Sequence, residues 1–280
     1  MKIVVINLDR SKDRLLKISK NLNSLNLPFE RFNAINGKKL SNKEIEVNTT
    51  FACRNLLCNY GMIGCAMSHI NIWREFLKTD QNFICISEDD VTYNNKFPEI
   101  LNDINLIYDK IKFDYLSLSC SVGICYSFSD SIKFKEYTFT KPFFPLTMAS
   151  YILSKKGAKK LIKYFDKINY HIDFTIAFKN FFNDLKYYYV SDPKILNVSH
   201  DEDSNILVKN NGILNKTLQG LGFKKLNWLI SNTAFTIRLN TSVSVYAIIL
   251  MIAIIIFIIK KHYFIAFILF LELCLVMDVF

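Results

Sequence analysis

An α/β fold is what this sequence predicts, and three observations carry the prediction. The chain opens on KIVVINLD (2–9), an apolar, β-branched run that reads as a buried parallel strand. An amphipathic helical stretch and a second short strand follow it, making a βαβ unit. Further on, FICIS (83–87) repeats the buried-strand pattern after another helical stretch. With 280 residues, 51% of them hydrophobic, the chain can bury one sizeable core or two small ones.

Taken in order, SKDRLLKISKNLNSLNL places Leu15, Leu16, Ile18, Leu22 and Leu25 at helical spacing, with Ser11 as N-cap and Pro28 as the stop. FERFNAING reads as a strand running into a turn at Asn36-Gly37. Residues 41–60 read as irregular. GMIGCAMSHINIWREFLK (61–78) is a helix with Met67, Ile70, Trp73, Phe76 and Leu77 on one face. FDYLSLS (113–119) and TFTKPFFPLTMASYILS (138–154) supply strand material, and SKKGAKKLIKYFDK is a helix capped by Ser154. HIDFTIAFKNFF is a helix beginning near Asp173, and 185–206 reads as a strand, a turn and an acidic loop. Residues 207–241 are expected to be a basic connector.

The formal charge is +10, and within 242–280 Lys260, Lys261, Glu272 and Asp278 cancel, so the excess sits on the body. A basic body suits an anionic partner such as a nucleotide or a phospholipid surface. Nucleic acid is excluded, because basic residues are scattered and no nucleic-acid motif is present. The seven cysteines are an odd number, and the N-terminus is charged too early for a signal peptide, so reduced thiols in a cytosol are expected. Cys53, Cys58, Cys65 and His69 match no compact zinc knuckle.

The tail is different in kind. VSVYAIILMIAIIIFII (243–259) is uncharged, and FIAFILFLELCLVMDVF (264–280) is interrupted only by Glu272 and Asp278. A helix apolar all round predicts membrane contact. Whether it spans once, twice or lies in one leaflet stays open, since Lys260 and Lys261 at the turn conflict with a two-span hairpin.

Three acids, Glu88, Asp89 and Asp90, leave the FICIS strand together. In open α/β sheets ligands bind where strand C-termini meet loops. Carboxylates there suit a hard divalent cation, magnesium or manganese, that neutralises a diphosphate. The bland alternative is a solvated loop. The first strand's exit offers Asn7, Asp9, Arg10 and Arg14, which are either helix-capping and surface groups or phosphate ligands. Gly64, Ser68 and His69 stand at the head of a helix, where an anion is favoured. They also serve equally well as local backbone partners.

INLDRSKDR, FERFNAING, GMIGCAMSHINIWREF, ISEDDV, SYILSKKGAKKLI, HIDFTI and DEDSNI, in that order, resemble glycosyltransferase family 25 over residues 1 to about 206. The family comprises lipooligosaccharide and lipopolysaccharide galactosyltransferase-like enzymes and collagen galactosyltransferases. The resemblance implies a GT-A-like nucleotide-binding sandwich at 1–206; the connector (207–241) and the hydrophobic helical membrane segment (242–280) expected from hydropathy are not part of the shared pattern. It implies hexose transfer, galactose first, from a UDP-sugar to a saccharide hydroxyl of a lipid-linked acceptor, inverting and metal-assisted. Glu88, Asp89 and Asp90 would hold the cation, and Asn7, Asp9, Arg10, Arg14, Gly64, Ser68 and His69 would line the donor side. Asp173 is the candidate base, with Asp114 second, and His171 stands where the family has a proline. The expected place is the cytoplasmic face of a bacterial inner membrane. Alternatives are a catalytically inactive membrane-anchored binding protein, or another nucleotide-dependent transferase. A nucleotidyltransferase would want a glycine-rich phosphate loop, and LDRSKDR has no glycine.

Overall fold

The computed structural model describes residues 1–120, 123–198, 217, 233–237 and 241–276. The βαβ opening is present as β1 (Lys2–Asn7), α1 (Lys12–Ser24) and β2 (Glu30–Asn33), with β2 parallel to β1. Ser11 occupies the N-cap position, but its side chain makes no capping bond.

Residues 41–60 are more regular than expected. α2 (Asn42–Asn48) starts on a capping box between Ser41 and Glu44, and a π-turn covers Cys53–Leu57. Next come α3 (Tyr60–Leu77), β3 (Phe83–Glu88), β4 (Val91–Tyr93), α4 (Lys96–Asn102), α5 (Ile104–Ile111) and β5 (Tyr115–Ser117). Short strands β6 (Gly123–Ile124), β7 (Ile132–Phe134), β8 (Tyr137–Thr140) and β9 (Phe144–Pro145) lead to β10 (Ser150–Ser154). α6 (Lys155–Tyr164) is capped by Ser154, whose hydroxyl accepts from Gly157 N at 3.0 Å. α7 (Ile172–Phe181), β11 (Tyr187–Asp192) and β12 (Leu196–Val198) complete this part.

One eight-stranded sheet runs in the order β2-β1-β3-β10-β5-β11-β8-β7. β1, β2 and β3 are mutually parallel, whereas β10 is antiparallel to both of its neighbours, β3 and β5. Alternation along β1 serves two cores. Val4 and Ile6 face the cluster built with α3, α6 and α7, and Ile3 and Val5 face the one built with α1, α4 and α5. A sheet with helices on both faces leaves the C-terminal ends of its parallel strands as the open edge.

Helix α3 approaches the loop after β2 closely enough to require glycine twice. A Cβ on Gly37 would lie 1.7 Å from the Tyr60 carbonyl oxygen, and one on Gly64 would lie 2.3 Å from that of Ile35. Gly37→Ala is expected to cost about 3 kcal/mol, the upper end for overpacking, because the obstructing atom is backbone. Denaturant unfolding with an unchanged m-value measures it.

The C-terminal part corrects the expected membrane segment. Thr241–Ser244 forms β14 against β13 (Thr233–Ile237), so the following helix α8 starts only at Val245 and ends at Ile259. α9 covers Tyr263–Val276. α8 has 15 residues, which at about 1.5 Å per residue is roughly 22 Å, short of a hydrocarbon core of about 30 Å. No helix among the described residues is long and apolar enough to cross a membrane. α8 and α9 pack on each other, and buried Glu272 accepts the Tyr246 hydroxyl at 3.1 Å. Most of the expected connector, the acidic loop and His200 lie outside the described residues.

The thiols also differ from expectation. Cys53 pairs with Cys58 and Cys120 with Cys125, and Cys65, Cys85 and Cys274 are free.

Candidate functional site

The three acids do not act as one group, because successive positions at a strand exit point different ways. Glu88 is the last residue of β3, and Asp89 and Asp90 form the turn into β4. Glu88 reaches toward α3, with Oε1 3.7 Å from His69 Nε2. Asp89 turns to β1, accepting from Asn7 Nδ2 at 2.6 Å and lying 3.5 Å from Arg14. Burial pushes the Asp89 carboxyl up, and Asn7 and Arg14 pull it back. Asp90 is raised to about 7, first by burial and then by the charges of Glu88 and Asp89.

Asn7 organises the β1 exit. It is buried, its amide also donates to Ser11 O at 2.9 Å, and its Oδ1 accepts from Arg31 Nε at 3.0 Å. Arg31 in turn pairs with Asp9 at 2.7 Å, and Asn33 donates to the same carboxylate at 3.0 Å. Those two bonds hold the Asp9 carboxyl below its usual range. Arg10 is exposed at the same exit. Arg31 was not among the expected residues, since an arginine in FERFN reads as the outward face of a strand. Asn7→Ala strips partners from Asp89 and Arg31 together. The expected cost is about 1–3 kcal/mol, read from thermal or chemical denaturation.

Helix α3 begins at Tyr60, capped by Asn59, so Gly64, Ser68 and His69 lie beyond the N–H groups that would hold an anion. Their expected donor role therefore does not rest on that helix N-terminus. Ser68 instead stitches α3 to the β2 loop, donating to Gly64 O at 2.7 Å and accepting from Ile35 N at 2.9 Å. His69 is buried, its Nδ1 2.8 Å from the Tyr151 hydroxyl, which also accepts from Trp73 Nε1 at 2.8 Å.

Asp173 comes to the same edge from α7. His171 is the N-cap of that helix, its Nδ1 accepting from Asp173 N at 3.3 Å. A histidine acting as acceptor therefore starts the helix where a proline would start it by its fixed φ. Burial raises the Asp173 carboxyl; His171 lowers it, Glu88 raises it and His69 lowers it again. Asp114 does not join the group. It precedes β5, at the opposite end of the strands, fully buried against Lys160 at 2.5 Å. It lies in an ion pair away from the edge where Glu88, Asp89, Asp90 and Asp173 gather.

One sheet edge thus gathers basic groups, a split acidic triplet and a buried aspartate. The family described as glycosyltransferase family 25 (LPS biosynthesis protein) matches residues 1–176. The chain belongs to glycosyltransferase family 25. An Anopheles gambiae glycosyltransferase 25 family member is 29% identical over 174 residues, covering 58% of this chain and 28% of that protein. Mouse procollagen galactosyltransferase 2 is 26% identical over 122 residues, 40% of this chain and 19% of its own length. This family 25 chain thus spans well under two thirds of these relatives' lengths. Among solved structures, S. aureus TarS with UDP-GlcNAc aligns at a TM-score of 0.34 and 12% identity, over 80% of this chain and 66% of that one. A likeness that weak adds nothing to the family assignment.

Proposed function

We propose that this family 25 chain transfers a hexose, galactose in the first instance, from a UDP-sugar to a saccharide hydroxyl of a lipopolysaccharide- or lipooligosaccharide-type acceptor, with inversion. The supporting observation is the meeting at one sheet edge of Glu88, Asp89 and Asp90 with Asp173, whose proton Glu88 already biases. A single displacement needs one group to take the hydroxyl proton and others to place the two reactants. Asp173 takes the proton. Arg10 and Arg14 lie on the donor side.

A divalent cation fits the remaining donor set. Asp89 is engaged by Asn7 and Arg14, whereas Asp90 is crowded by two neighbouring negative charges that a cation would offset. Asp90 with Glu88 would hold magnesium or manganese, with water completing the shell. When bound there, the ion neutralises charge on the departing diphosphate.

The acceptor side is aromatic. Ring contacts run from Tyr170 and His171 to Phe174, Phe144 and Phe178, with Phe178 exposed. Such faces suit the apolar side of a pyranose or its lipid carrier. A lipid-linked acceptor would put the enzyme at the cytoplasmic face of a bacterial inner membrane, where a charge of +10 is drawn to anionic lipid.

A donor screen tests this reading. UDP-galactose with Mn²⁺ is expected to raise the melting temperature more than either alone, and radiolabelled sugar should pass to a saccharide acceptor. No stabilisation by any UDP-sugar and no transfer would overturn it.

A further inference from the structure

Transfer as described uses Glu88 but gives no ligand role to Cys65 or His69, on the face that α3 turns toward the end of β3. Cys65 and His69 are four residues apart on α3, so their side chains stand one turn apart on the same face. Glu88 meets them from β3. One ligand atom from each, the Cys65 sulfur, a His69 ring nitrogen and a Glu88 carboxylate oxygen, all lie within 4.8 Å of one another. Tetrahedral zinc bonds of about 2.0–2.3 Å place ligand atoms roughly 3.3–3.8 Å apart, so a small inward movement closes the set. Three protein ligands of mixed N, O and S type leave a fourth position open.

A second observation points the same way. The His69 ring is fixed by a buried chain in which Trp73 Nε1 donates to the Tyr151 hydroxyl and that hydroxyl meets Nδ1, each at 2.8 Å. The arrangement turns Nε2 toward Glu88, 3.7 Å away. Metal-binding histidines are oriented in this manner, through the ring nitrogen that does not touch the ion. Cys53 and Cys58 are tied to each other and offer no thiolate to an ion. A sulfur donor disfavours magnesium or calcium and favours a softer ion.

We propose that Cys65, His69 and Glu88 form a binding site for a thiophilic divalent cation of the zinc type, with Glu88 the one ligand it shares with any ion that Asp90 holds against a diphosphate. Binding forms a metal–sulfur bond as the Cys65 S–H bond breaks, and one proton passes to solvent with no change of oxidation state. The site stands on its own geometry, whether or not the chain transfers a sugar.

Cobalt(II) is the probe, added alone to the full chain after chelator treatment and dialysis. One equivalent should bind and give a thiolate-to-cobalt charge-transfer band in the near ultraviolet, and zinc should displace it. Cys65→Ser should abolish the band while the far-ultraviolet circular dichroism is unchanged. Tyr151→Phe, which removes the hydroxyl that anchors the His69 ring and accepts from Trp73, should weaken binding roughly 10–100-fold. Asp90→Asn should leave the band intact. Absence of a band, a band that survives Cys65→Ser, or one lost equally in Asp90→Asn would overturn the site. Sugar transfer assayed on the same preparation separates the two readings. Transfer without a cobalt band removes the metal site alone, and a band without transfer removes the transferase reading alone.

Discussion

Asp173→Asn is expected to lower the transfer rate by about 10²–10⁴-fold, the usual contribution of a positioned general base, while UDP-sugar affinity stays within a few-fold of the parent. The amide keeps the volume and the helix start, since His171 caps α7 through the backbone N–H of residue 173 and not through its carboxylate. What it removes is the ability to accept a proton. The pH profile carries an independent mark. The base works only when ionised, so activity falls as pH drops through its pKa. Burial, with Glu88 against His171 and His69, sets that limb above the usual aspartate range. In the Asn variant the residual rate should lose this limb. Isothermal titration with UDP-sugar and a rate–pH series decide the matter; a variant of near-parental rate would remove Asp173 from the chemistry.

Lys160→Met should destabilise the fold by about 2–4 kcal/mol with little change in turnover. Asp114 is fully buried, and its Oδ2 accepts both the Lys160 ammonium at 2.5 Å and Lys186 N at 3.0 Å. Its Oδ1 has no hydrogen-bond partner among the described residues. Removing the lysine strands a buried charge, which is costly even though the pair itself contributes little against an apolar substitute. Lys160 is partly exposed, so entering water offsets some of the penalty and places the figure below the fully buried range. Adding Asp114→Asn to Lys160→Met should recover part of the loss, a coupling a double-mutant cycle measures directly. Thermal melts report it at roughly 2–4 °C per kcal/mol for a chain of this size. Turnover lost without any loss of stability would return Asp114 to the catalytic group.

Legibility followed how locally each feature is determined. The β1-α1-β2 unit and the β3 exit could be read because β-branched runs, a helical apolar stripe and Pro28 act within a few residues. α2 was missed despite a readable Ser41–Glu44 capping box, since SNKEIEVN buries only Ile45. The tail was misread because hydropathy cannot show that Thr241–Ser244 pairs as a strand and shortens the helix after it. Site membership was harder still. Glu88, Asp89 and Asp90 are adjacent in sequence, but Glu88 turns to α3 and Asp89 to β1, and Asp114 is an acid beside a strand at the other end. Cys65 and His69 had the right spacing. Grouping them with Cys53 and Cys58 concealed it, and only the fold brings Glu88 to them.

The strand order also sets a timetable for synthesis. β1, β2 and β3 all come from residues 2–88 and pair with each other, so a nascent chain can assemble that half early. β3's other neighbour, β10, begins at residue 150, and β5 waits for β11, which ends at residue 192. Pairings that distant close slowly. A ribosome-bound intermediate would therefore already hold Arg14 and the acidic triplet, while Tyr151 and Asp173 were still to be translated. His69 would be made but not yet anchored. Catalytic competence is in this sense a late event in the life of the chain, reached only when its second half docks antiparallel onto an edge the first half has kept waiting.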